Sequence, residues 1–178
     1  CMEGLSVQAA AFTAPMWGIH IAPHMRLVAA GLSHLMPRIG QGYRLPMGTQ
    51  AASYVSTAPF EGNMLTTDPE MYEMMRTQIN AHPDLSLGGP SFIWLREALT
   101  ETKHLSLRAA PSLPCATFLG SNERIVHKDR IHARMETWKG GKLHIIDGAE
   151  HEVLMETPAI RDNAVEEMAA LFFGNAKK

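Results

Sequence analysis

The chain has 178 residues, 46% of them hydrophobic and 19% charged, with a net charge of −2; this is the profile of one folded domain with a real core, not of a disordered chain. That balance excludes the clustered basic face of a nucleic-acid binder, and no apolar run approaches the length of a transmembrane span. Two cysteines, Cys1 and Cys115, are too few for a disulfide framework and fit a reducing, cytoplasmic setting, with peripheral membrane contact as the alternative.

The first predicted element is a short buried strand within "QAAAFTAPMWGIHIA", residues 8–22, ending at Thr13-Ala14. Pro15 turns the chain there, because proline cannot donate to a central ladder. Helical patterns broken by Gly and Pro occupy residues 23–112. In "HMRLVAAGLSHLM" the residues Met25, Val28, Leu32 and Leu35 recur at three- and four-residue spacing, which predicts one apolar helix face. The 40s and 50s, "GQGYRLPMGTQAASYVSTAPFEGN", read as irregular loop. "TTDPEMYEMMRTQINAHP" opens a helix with Asp68 as cap and Pro69 in its first turn, and stops it between Asn80 and Pro83. "GGPSFIWLREALTETKHL" opens another after a Gly-Gly-Pro turn, with Phe92, Leu95 and Leu99 on one side. The chain carries 12 methionines, many of them between Met16 and Met75; such side chains fill irregular cores and also suit adaptable surfaces for flexible apolar ligands.

The last third changes period. "LPCATFLG", residues 113–120, is a continuous apolar run of strand length, entered by a proline and closed by a glycine. Runs of this kind suit a strand buried on both faces of a parallel sheet. "HKDRIHARMETW" follows as a helix with Ile131, Met135 and Trp138 in register; Gly140-Gly141 ends it and "KLHIIDG" is the next strand. Thr157-Pro158 caps a final helix whose apolar stripe is expected at Ile160, Val165, Met168 and Phe172. Strand, helix, strand and helix joined by short connections make a parallel α/β sheet.

Functional groups of such sheets gather in the loops beyond the carboxyl ends of the strands. Here those loops hold Glu123, in "SNERIVHKDR", and His151, in "GAEHEV" between Glu150 and Glu152. Adjacent parallel strands would bring the two loops side by side. A carboxylate beside a histidine is the orienting half of a nucleophilic triad: the acid fixes the imidazole tautomer while the other ring nitrogen takes the nucleophile's proton. Asp129 and Asp147 are the other acids in range, and helix-surface charge and turn chemistry account for them.

The segments "LPCATFLGSNERIV", "GAEHEVLMET" and "LFF", with "FTAPMWGI" and "LTTDPEMYEMM…HPDLSLGGPSFIWL", resemble the C-terminal part and cap of α/β-hydrolase fold serine hydrolases, in particular the lysophospholipase L2 and monoacylglycerol lipase group. The resemblance covers nearly the whole chain. It implies the C-terminal part of an α/β-hydrolase parallel sheet: a core strand segment at 1–21, a helical cap at 22–112, and an α/β core at 113–178. By the same resemblance Glu123 is the triad acid and His151 the base. The substrate would be a lysophospholipid or monoacylglycerol whose acyl chain lies against the cap, with Trp17 and Trp94 as candidates for lining that pocket or packing in the core.

The family's nucleophile elbow, G-x-S-x-G, is absent from these residues. "GLSVQ" at 4–8 offers Ser6 with Gln8 in place of the second glycine, and "GLSHL" at 31–35 falls inside a helix. The expectation is therefore a piece of a hydrolase that has no active nucleophile by itself. The open sheet edge at residues 8–14 should then be covered by an N-terminal segment or a second copy, or else residues 1–20 should be rearranged. Two alternatives remain: epoxide hydrolase or dehalogenase chemistry on the same fold, and a non-catalytic lipid-binding remnant. No nucleotide cofactor is implied, since no Gly-rich strand–helix turn occurs, and a metal site is disfavoured: His20 and His24 are separated by Pro23, and "HEVLM" lacks a second histidine.

Overall fold

The computed structural model describes residues 6–175. Its strands are β1 (Ala10–Thr13), β2 (Cys115–Gly120) and β3 (Gly141–Ile146). They form one sheet in the order β1-β2-β3, with both pairings parallel. β2 is the middle strand and is buried at every residue, as its uninterrupted apolar run requires. Its side chains alternate between two cores. Cys115 and Leu119 pack with Ile131, Met135 and Trp138 of the α5 region (α5, Lys128–Glu136), and Phe12 and Trp17 join that cluster. Ala116 and Phe118 face the other way, onto Val153 and Ala164 of α6 (Pro158–Asn175).

Between β1 and β2 lie α1 (Arg26–Arg38), the single turn α2 (Tyr54–Thr57), α3 (Pro69–Ala81) and α4 (Phe92–Leu107). The starts of the two longer capped helices follow the local chemistry. Asp68 accepts the amides of Glu70 and Met71 and Pro69 opens α3, while Ser91 accepts the amide of Trp94 at the head of α4.

Two faces differ from the periodicity reading, while α4 keeps Phe92 and Leu95 on its inner side as expected. In α1 the stripe Met25, Val28, Leu32 and Leu35 is exposed, whereas Ser33 is fully buried. α1 packs against α4 with Ser33 on its inner side, and its large apolar residues are turned outward. In α6 Ala164 is buried and Ile160, Met168 and Leu171 are partly buried against the same core, while Val165 and Phe172 are exposed. Ile160 and Met168 of the expected stripe pack on this core, whereas Ala164 and Leu171 take the places expected of Val165 and Phe172. Trp94 is 45% exposed, because Phe92, Leu95, Ala98 and Thr102 take the inner side of α4. Trp17, by contrast, stacks on Trp138 at 6.0 Å and meets Phe12 edge-on at 5.4 Å.

β1 is an edge strand. The amides of Ala10 and Ala14 donate to Pro114 and Phe118 across the ladder, and in a parallel pair the intervening Ala11 and Thr13 direct theirs the other way. β1 lies parallel beside β2, and no strand pairs with its outer edge among the described residues. Cys1 lies outside the described residues. Among those residues no helix is long and apolar enough to cross a membrane.

Candidate active site

The loops that follow β2 and β3 leave the same end of the sheet and are stitched together. Ser121 N donates to Ile146 O at 2.9 Å and Asn122 N to Ala149 O at 3.0 Å. Asn122 Nδ2 donates to Gly148 O at 2.9 Å, and Gly148 N to Ser121 Oγ at 2.8 Å. The β3 loop turns at Gly148, whose φ of +74° suits glycine. Gly120 ends β2 for a different reason: a Cβ there would stand 2.3 Å from the carbonyl oxygens of both Ala149 and Glu150. The missing side chain is what lets the His151 loop lie against β2.

Glu123 is only 2% exposed. Its Oε1 accepts the amides of Ile125 at 2.5 Å and Val126 at 3.0 Å, which fixes the carboxylate in its own turn. Its Oε2 lies 2.6 Å from Nδ1 of His151. An ionised carboxylate only accepts, so Nδ1 carries the proton in this pair. Nε2 makes no hydrogen bond to the described residues, and the His151 side chain keeps 19% of its surface exposed. Burial by itself would raise the Glu123 carboxyl, but the bond from His151, the two amides and the His151 charge outweigh it and hold the group below its ordinary value. Burial would equally lower His151. The hydrogen bond and charge of Glu123, with the charge of Glu152, overcome this and raise the imidazole. The arrangement is an imidazole oriented by a carboxylate, with one ring nitrogen able to exchange a proton.

The other candidates fall elsewhere. Ser6 is exposed and precedes β1, at the amino end of a parallel sheet whose carboxyl end carries Glu123 and His151, so it is on the wrong side to meet His151. Asp129 lies in the first turn of α5 and Asp147 is exposed at the strand end. His20 pairs its ring with His127 at 6.2 Å, and among the described residues no group of three His, Cys, Asp or Glu side chains is arranged to hold a metal ion. A cavity of about 680 Å³ is lined by Trp17, Arg130 and Arg134 but includes neither member of the pair. Beside the pair is an open depression of about 360 Å³ with Asn122, Glu123, Arg124, Lys128 and Glu150 on its walls.

Sequence reasoning misses the groups that hold the loops to the helical segment. Arg124 Nη2 donates to Asn63 O at 2.9 Å and to Glu150 Oε1 at 3.0 Å. The amides of His151 and Glu152 donate to Met64 O at 3.2 Å and Leu65 O at 2.8 Å. A single signal was available, an acid five residues past the histidine at Glu156, and on its own it looks like any polar loop residue.

Comparison with known proteins places this geometry in context. A family model described as serine aminopeptidase, S33, matches residues 2–158. Lysophospholipase L2 of Escherichia coli (strain K12) is 28% identical over 174 residues, which cover 92% of this chain and 50% of that protein. Probable lysophospholipase L2 of Haemophilus influenzae is 27% identical over 164 residues, covering 90% and 50%. The chain thus spans about half the length of the curated relatives it matches. Among solved structures, monoacylglycerol lipase of Paleococcus ferrophilus superposes with a TM-score of 0.65 at 13% identity, over 93% of this chain and 58% of that one. A soluble variant of monoglyceride lipase from Saccharomyces cerevisiae, solved with a substrate analogue, gives 0.63 at 14% identity, over 93% and 55%. These two establish the α/β-hydrolase fold for the chain.

Proposed function

Because this chain belongs to the family described as serine aminopeptidase, S33, whose model it matches over residues 2–158, we propose that it is the acid- and base-bearing part of a serine ester hydrolase of lysophospholipase or monoacylglycerol lipase type. The observation that carries this reading is the 2.6 Å contact between Glu123 Oε2 and His151 Nδ1, with Nε2 left unbonded among the described residues. The nucleophile is a serine supplied by a further part of the protein, since no G-x-S-x-G occurs in these residues. His151 Nε2 takes the serine proton as the serine oxygen bonds to the acyl carbon. The proton then passes to the departing glycerol or glycerophosphate oxygen as the ester C–O bond breaks. Water, deprotonated by the same nitrogen, releases the fatty acid and regenerates the serine. Glu123 holds the imidazole in the Nδ1–H tautomer and stabilises the imidazolium. Residues 22–112 act as the cap against which the acyl chain lies. No cofactor enters this chemistry.

Hydrolysis of lysophosphatidylcholine and monoacylglycerol by this chain alone, and by the chain joined to the upstream half of a relative of matching length, tests the reading. The joined protein is expected to turn over both or one of these esters, and His151→Ala to abolish turnover. Full activity of the joined protein with His151→Ala would overturn it.

A further inference from the structure

Glu156 is a carboxylate with no exposed surface, and none of its bonds comes from a cation. Its Oε2 accepts the amide of Thr67 at 3.0 Å and also the Thr67 hydroxyl. Its Oε1 accepts the amide of Glu150 at 2.7 Å. Burying a charge among neutral donors is costly, and an apolar side chain of similar volume could fill the same space. What an apolar side chain could not do is satisfy donors on both sides. One of those donors belongs to the residue before His151. The other belongs to the helical segment between β1 and β2, distant in sequence. The same seam is fastened again by Thr66, whose hydroxyl donates to Met155 O at 2.6 Å and which is 1% exposed. The Met64 and Leu65 carbonyls complete it by receiving the His151 and Glu152 amides. Asn63 shapes this stretch from within, its Oδ1 accepting the amides of Leu65 and Thr66.

We propose that Glu156 is a positioning residue: its two oxygens rivet segment 64–67 to residues 150–152, and this seam holds the His151 ring in bonding distance of Glu123. The inference rests on the reading of His151 as the base. It adds that the placement of the helical segment sets the geometry of the acid–base pair, so that residues 64–67 belong to the floor of the site and do not move away from it as a lid.

The experiment is proton NMR of the 178-residue chain labelled with 15N-histidine, with His151 assigned through His151→Gln. The wild-type chain should give a strongly deshielded Nδ1 proton for His151 bonded to Glu123. Glu156→Gln keeps the volume but turns one acceptor into a donor facing a donor, so that resonance should be lost while the circular dichroism of the fold remains. Thr67→Val, which removes only the hydroxyl, should shift it in the same direction by less. Ile131→Val, in the opposite core cluster, should leave it in place. Glu156→Gln and Thr67→Val chains that fold and keep the wild-type resonance would overturn the proposal. If Glu156→Gln does not fold, an unshifted resonance in Thr67→Val is sufficient to reject it. Absence of the deshielded proton in the wild-type chain would defeat the reading of the pair itself, and this inference with it.

Discussion

At the scale of single residues, the Glu123–His151 pair makes stability depend on pH in a defined window. Glu123 sits below its ordinary value of 4.5, so its contribution is present above that value and is lost as pH falls through the folded one. His151 sits above its ordinary value of 6.5, so its contribution is full below that value and is lost as pH rises through the folded one. Both are present together between those two ordinary values. Urea midpoints measured across a pH series should therefore peak in that interval, and Glu123→Gln should flatten the peak. A flat wild-type profile would show that the pair is not coupled as described. Under the proposed function, the same coupling is expected to move the acid limb of kcat/KM upward in the catalytically complete protein, since only the neutral imidazole accepts a proton. Glu123→Gln should bring that limb back toward the ordinary histidine value and lower kcat by about 10³–10⁴-fold, the scale of losing a triad acid. The pH–rate profile of the variant checks both.

At the scale of elements, the site depends on how closely the chain lies against itself at the end of β2. Gly120→Ala would place a methyl group 2.3 Å from two backbone carbonyl oxygens, and backbone cannot yield as the tip of a flexible side chain does. The loop carrying His151 must shift, so this one methyl is expected to destabilise the chain by about 1–3 kcal/mol and to disturb the His151 resonance as well. Gly148→Ala strains φ alone and should affect stability with less effect on that resonance. Chemical denaturation and NMR on the two variants separate the cases. α3 offers a simpler case. Asp68 is 8% exposed and accepts two amides of the first turn, so Asp68→Ala should lower stability by about 1 kcal/mol, read as a shift in the denaturation midpoint without a change in slope.

At the scale of the whole molecule, the side of β1 that no strand pairs with among the described residues is expected to govern association. Ala11 and Thr13 turn their backbone groups outward beside a half-buried strand, and such an edge is a template for another strand. Light scattering on the chain by itself is expected to show mass rising with concentration. Ala11→Pro should suppress that rise without breaking the sheet, because the Ala11 amide plays no part in the β1–β2 ladder and proline is tolerated on an edge. An Ala11→Pro chain that associates as strongly as the wild type would place the contact elsewhere, and the outward apolar stripe of α1, with Leu27 at 87% exposure, is the next surface to test.

The amino-acid sequence by itself determined where the strands and the longer helices lie and what kind of sheet they make, though not the single turn α2, which falls in a stretch read as irregular loop. The spacing of Ile131, Met135 and Trp138, the Asp68-Pro69 start and the buried run of β2 are local facts, and local physics is enough to read them. The proximity of Glu123 to His151 is readable for the same reason: each follows a strand, and consecutive strands of a parallel sheet end side by side. Only the tertiary structure decided which side of a helix is inside. The apolar stripe of α1 was visible, but contact with α4 selected Ser33, and the approach of α6 to β2 selected Ala164 over Val165. Glu156 is the clearest case. Its role depends on Thr67 and Glu150 meeting it from opposite directions, and no periodicity or spacing encodes a bond between segments that distant, because it is the packing of the whole chain that brings their donors to one carboxylate.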